Sequence, residues 1–167
     1  MFQAGNMFVF TDGSDGAIKS VSLHILGDPK PYKGQRYVHR SNHTYNASCS
    51  ELAAFRTCVQ GIMRDNCTSM DQPTLFFNEI ELGLEVHLKF ILQRPKKHFI
   101  KCNRSLGLKD SSPQLHTQKP DIDNLTKFIL DGLNGLIYSD DRIIVRIDSS
   151  KVWGPHGSTE ISVRRCS

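Results

Sequence analysis

Two stretches of the chain alternate apolar and polar residues with the period of two that a half-buried strand requires. They are "IKSVSLHIL" (18–26), irregular at its start, and "EIELGLEVHLKFILQ" (79–93). In the second, Val86, Leu88, Phe90 and Leu92 share one face, and Gly83 marks the place for a bulge. Two later stretches, "RIIVRIDSSKVWG" (142–154) and "STEISVRR" (158–165), read as strands joined by a "GPHG" turn. Elsewhere the period changes to that of a helix. Ser48 opens the first, Glu51 completes a capping box and Ala47 with Leu52 forms its staple. Leu52, Phe55, Val59 and Ile62 then recur at helical spacing until Asp65-Asn66. A second helix over 124–134 places Leu125, Phe128, Ile129, Leu133 and Leu136 on one face and stops at the Asn134-Gly135 pair. Strands with two intervening helices predict an α+β fold with a mixed or antiparallel sheet. We expect one domain over 18–167, preceded by a loose leader, 1–17. Residues 94–120, "RPKKHFIKCNRSLGLKDSSPQLHTQKP", keep no period and read as a long, basic, mobile loop.

The second helix carries more than a core face. Within "PDIDNLTKFILDGLNGLIYSDD" (120–141), Asp123, Lys127 and Asp131 form a stripe at i, i+4 and i+8, away from the apolar side. On an extended lead-in, Asp121 and Asp123 point the same way, and Asp123 is placed to cap the helix. Asp140 and Asp141 sit at the mouth of the following strand. If that strand returns beside the helix start, three or four carboxylates converge. Such a cluster opposes its own ionisation unless a hard divalent cation, Mg²⁺ or Mn²⁺, neutralises it. A helix N-terminus favours an anion, and Lys127 leans back toward that end. Carboxylates, cation, phosphate and ammonium together point to phosphodiester hydrolysis. The competing readings are plain ones: Asp123 as a cap, and the stripe as a surface ion-pair ladder. An EF-hand is excluded, because Leu125 and Thr126 occupy its fifth and sixth positions. The Tyr-x-Asp-Asp hairpin of reverse transcriptases shares "YSDD" but requires a further Asp far upstream and a longer chain.

Composition narrows the field. A length of 167 residues suits one domain with a sizeable core. No apolar run approaches the roughly 20 residues of a membrane span, and the opening "MFQAGNMFVF" lacks the basic start of a secretory signal. The five cysteines have no zinc-site spacing and read as reduced thiols. Net charge is only +4, but eight Lys/Arg against one acid lie between Lys89 and Lys119, and six Asp lie between Asp121 and Asp148. Basic segments flanking an acidic one suit a protein that grips a polyanion and holds cations at one point along it.

The quoted stretch, extended to "KPDIDNLTKFILDGLNGLIYSDDRIIV", resembles the signature of RusA-type Holliday junction resolvases. "GDPKPYKGQRY" resembles that family's Gly-x-Pro segment, "FILQRPKKHF" the end of its central strand, and Lys151 with Trp153-Gly154 its C-terminal Lys-x-aromatic-Gly. Together these cover about residues 18–164. The resemblance implies a RusA-like fold and a homodimeric, Mg²⁺-dependent endonuclease, with Mn²⁺ as a possible substitute. It would act in DNA recombination and repair, cutting four-way junctions by paired symmetrical nicks that leave 5′-phosphates and 3′-hydroxyls. It implies Asp121, Asp123 and Asp141 as metal-binding catalytic acids, Asp140 as a further ligand, Asp131 as a pattern match, and Lys127 as the basic partner. Lys33, Arg36, Arg40, Lys96, Lys97, Lys101, Arg104 and Lys119 are the expected phosphate contacts, with Tyr37 and Phe99 for stacking. The protein would then work inside the cell, at DNA, with no membrane partner. Two alternatives stay open: a junction-binding protein that no longer cleaves, and a nuclease of different branched-DNA specificity.

Overall fold

A computed structural model of the chain describes residues 2–3, 5–11, 18–39, 43–66, 76–77, 83–102 and 105–166. In chain order the elements are β1 (Met7–Thr11), β2 (Ile18–Leu26), β3 (Gln35–Val38), β4 (His43–Asn46), α1 (Cys49–Asn66), β5 (Leu84–Gln93), β6 (Phe99–Cys102), β7 (Ser105–Leu108), α2 (Ile122–Leu133), β8 (Ile144–Gly154) and β9 (Ser158–Arg165). Five strands form one sheet in the order β1-β2-β9-β5-β8, and β3-β4 and β6-β7 form two small hairpins. All pairs are antiparallel except β5 with β8. The fold is therefore α+β with a mixed sheet, as the pattern predicts.

Alternation decides which face of the sheet is buried. Val21, Leu23 and Ile25 of β2 lie in register with Val163, Ile161 and Thr159 of β9, and Val86 and Leu88 of β5 meet the same Val163 and Ile161 from the other side. This face is covered by Phe55, Val59, Ile62 and Met63 of α1 and by Leu125, Phe128, Ile129 and Leu133 of α2. The residues between them, such as His24, His87, Lys89 and Glu160, form the opposite, polar face. Arg56 of α1 caps the far end of α2 by donating to the carbonyls of Gly132 (3.1 Å) and Asn134 (2.6 Å). Gly135 follows at φ +73°, as the expected stop signal requires.

Several expectations need correction. Part of the expected leader belongs to the sheet: β1 pairs with β2, and Phe2 packs on Phe55 and Phe128. Residues 12–17 lie outside the described part. The 94–120 loop contains a 3₁₀ turn at Lys96–His98 and the β6-β7 hairpin, strands too short for alternation to register. The capping box at α1 is rewired. Ser48 Oγ accepts the Lys33 N–H, Asn46 Oδ1 accepts the Ser48 N–H, and Glu51 pairs with the Lys33 ammonium. The "GPHG" turn joins β8 to a strand two places away, because β9 inserts between β2 and β5. The β5 register irregularity falls at Leu84/Glu85, one position beyond Gly83; residues 79–82 are outside the described part.

α1 and α2 cross at Gly132, where a Cβ would stand 2.6 Å from two ring carbons of Phe55. Gly132→Ala gains about 1 kcal/mol of helix propensity but must displace a ring buried on all sides, which typically costs about 1–3 kcal/mol. We expect a net loss of stability, read as a lower chemical-denaturation midpoint. An unchanged or raised midpoint would mean the helices can separate freely there.

Candidate active site

The start of α2 is built to leave a carboxylate unused. Asp121 occupies the N-cap position with extended backbone (φ −75°, ψ 144°), yet its side chain makes no capping hydrogen bond. Asp123, the expected cap, lies inside the first turn. The Gly-x-Pro segment braces this end: the Tyr32 N–H donates to the Asn124 carbonyl at 2.8 Å.

Along α2 the Asp-Lys-Asp stripe faces a cavity of about 340 Å³ between the helix and β8. Asp123, Lys127 and Asp131 line it from α2, Asp141 from the 3₁₀ turn Asp141–Ile143 that opens β8, and Ser149 from β8 itself. Thr126 Oγ1 donates to Ser149 Oγ at 3.0 Å, tying the two walls together. Lys127 Nζ stands 3.9 Å from Asp131 and 4.9 Å from the centre of the Tyr32 ring. The lysine side chain keeps about half of its surface open (55 %), so the ammonium remains available to a further anion. Burial pushes the Asp131 carboxyl above the ordinary carboxylate range; Lys127 opposes that and the negative charge of Asp141 adds to it. Beneath them Tyr138 is buried, its phenol held neutral mainly by burial and further by Asp141 and Asp131, and it donates to the Leu130 carbonyl at 3.0 Å.

The other expected acids are placed differently. Asp121 lines a neighbouring cleft of about 490 Å³ with Lys30, Tyr32, Lys119 and Asn124. Asp140 caps the 3₁₀ turn, accepting the Arg142 N–H at 3.0 Å with the Arg142 Nε 3.6 Å away. Asp148, which was not among the expected ligands, belongs to the polar face of the sheet, 3.6 Å from His87 Nδ1. Among the described residues no three His, Cys, Asp or Glu side chains are grouped closely enough to hold a metal ion. Asp121 thus lines a different cleft from the one that Asp123 and Asp141 share. Of the expected DNA contacts, Lys33 is engaged by Glu51, while Arg36, Lys96, Lys97 and Lys119 are exposed. Arg40, Arg104 and the side chain of Lys101 lie outside the described part.

The family model described as endodeoxyribonuclease RusA matches residues 27–164, which include both walls of the cavity. The chain belongs to the RusA family. It is also 41 % identical over 51 residues to the uncharacterized protein YqaN of Bacillus subtilis (strain 168), a match that spans 30 % of this chain and 36 % of that relative. No helix among the described residues is long and apolar enough to cross a membrane. Sequence reasoning missed Tyr32, Thr126 and Ser149. Ser149 had a signal, since it shares a strand face with Lys151 of the RusA pattern; Tyr32 and Thr126 had none.

The raised Asp131 pKa has a defined consequence for stability. A carboxyl whose folded pKa exceeds its unfolded value stabilises the fold below the unfolded pKa, near 3.9, and loses that contribution as pH rises through the folded value. At neutral pH the ionised group is therefore a net cost. Asp131→Asn should raise the melting temperature of the metal-free protein at pH 7, and the gain should vanish toward pH 3. A fall at pH 7 would mean that the Lys127 ion pair outweighs burial.

Proposed function

We propose that this chain is a Mg²⁺-dependent endodeoxyribonuclease that resolves four-way DNA junctions by paired symmetrical nicks, in recombination and repair. The observation that carries the reading is the single cavity shared by Asp123, Lys127, Asp131 and Asp141, on a chain of the RusA family. The donor chemistry suits a hard cation, since Mg²⁺ is commonly held by one or two carboxylates, water and substrate phosphate rather than by a full protein cage. Burial and the negative charge of Asp141 already oppose ionisation of Asp131, which a cation beside it would relieve. Asp123 and Asp141 would hold it, with Asp131 beside them; Asp121 would contribute from the adjoining cleft at the start of α2, while Asp140 stays committed to Arg142. When bound, the ion supplies charge neutralisation and a water of lowered pKa.

The chain's own groups do the remainder. Lys127, propped on the Tyr32 ring, neutralises charge developing on the cleaved phosphate. The α2 N-terminus favours an anionic group at the same end. Arg36, Lys96, Lys97 and Lys119 hold the backbone on either side, a contact that weakens with salt. Paired nicks need two sites, so the working unit is a homodimer, acting where DNA is. A junction-binding protein without cleavage is the second reading.

The two separate on synthetic four-way junction, flap and duplex DNA with Mg²⁺. Wild type should nick the junction, and Lys127→Met should cut about 10²–10³-fold more slowly, the cost of losing one charge-stabilising donor. Asp123→Asn and Asp141→Asn should lose cleavage with Mg²⁺ but, in metal-free buffer, bind the junction as tightly as wild type, since without the ion removing negative charge cannot weaken a contact with phosphate. Tight binding by wild type with no product on any substrate would eliminate the nuclease.

A further inference from the structure

Ser149, Lys151 and Trp153 alternate along β8 and so face the same side of it. Each grips a different point on the chain that leads into and along α2. Ser149 accepts from Thr126, Lys151 Nζ donates to the carbonyls of Gln118 and Pro120 at 2.8 Å each, and Trp153 Nε1 donates to the Leu115 carbonyl at 3.2 Å. As β8 runs forward, its contacts run backward from 126 to 115. The strand acts as a ruler, with roughly 6.6 Å between successive grips.

The middle grip bears on the chemistry. An ammonium has three donors and no acceptor, so one Lys can hold two carbonyls at once, in charge-assisted bonds stronger than neutral ones. The two carbonyls lie one and three residues before Asp121, on either side of Lys119. The Asp121 carboxylate receives no capping bond from its own helix, so the backbone before it decides where it points. Further back, the same segment is packed by His116 against Trp153, ring centroids 4.0 Å apart, with Arg94 over the indole at 5.5 Å.

We propose that Lys151 is a positioning residue: by clamping Gln118 and Pro120 it sets the direction of the Asp121 carboxylate. This rests on the reading of Asp121 as a catalytic acid. The clamp has the reach of a long flexible stem and the grip of a charge, which a Ser or Asn at the same place would lack.

Lys151→Met and Lys151→Arg test it, with Lys151→Gln in place of Met if that variant does not fold. Backbone amide ¹⁵N relaxation needs neither metal nor DNA. In Lys151→Met the order parameters of Gln118, Lys119 and Asp121 should fall while those of 125–133 hold. On the junction, kcat should drop by about tenfold or more with KM within about twofold, as for a misplaced catalytic group, and Arg should recover most of the loss. Unchanged order at 118–121 overturns the proposal. So does unchanged kcat with a raised KM, which would make Lys151 a phosphate contact. If wild type cleaves no substrate, the nuclease reading falls, and the relaxation measurement alone decides whether Lys151 sets the chain at Asp121.

Discussion

The parallel pairing of β8 with β5 is the constraint on which the site depends. Two parallel neighbours cannot be joined by a tight turn; the chain must cross over the sheet and come back. Here the crossover includes α2, which lies against β8 and runs the other way. One end of α2 therefore meets the late part of β8, where Lys151 and Trp153 wait, and its other end meets the early part, where Asp141 emerges. Register along β8, from Ile144 opposite Leu84 to Gly154 opposite Gln93, sets where these β8 residues stand along the sheet.

The same geometry spreads the acids. At about 1.5 Å per residue, the ten positions from Asp121 to Asp131 span roughly 15 Å of helix axis. Asp141 approaches Asp131, not Asp121, and the stripe of Asp123, Lys127 and Asp131 is what connects the two ends of the cavity. The arrangement is a line of charge along a seam rather than a knot. A phosphate backbone is itself a line of charge, and Lys127 sits midway, half exposed and propped on Tyr32.

Much of this was readable from residue order. The strand 18–26 and the strand 158–165 were read to the residue, and α2 to within two, because one buried face imposes a period on each. Alternation could say which side of β9 is buried, but not that β9 would lie between β2 and β5, because period carries no information about neighbours. β1 and the β6-β7 hairpin, at four or five residues a strand, are too short to show a period at all. Local competition explains the rest. Asp140 and Asp141 look equivalent in the motif, yet Arg142 takes the first for a turn and leaves the second facing the cavity. Lys33 looked like a phosphate contact and is held by the glutamate expected to cap α1.

Paramagnetic broadening by Mn²⁺ tests the central claim most directly, because it locates the ion without requiring turnover. At sub-stoichiometric Mn²⁺ the account predicts loss of the amide signals of Asp123, Lys127, Asp131 and Asp141, with excess Mg²⁺ restoring them. Broadening centred on the polar face at His87 and Asp148, or no selective broadening at all, would contradict an ion-binding site between α2 and β8.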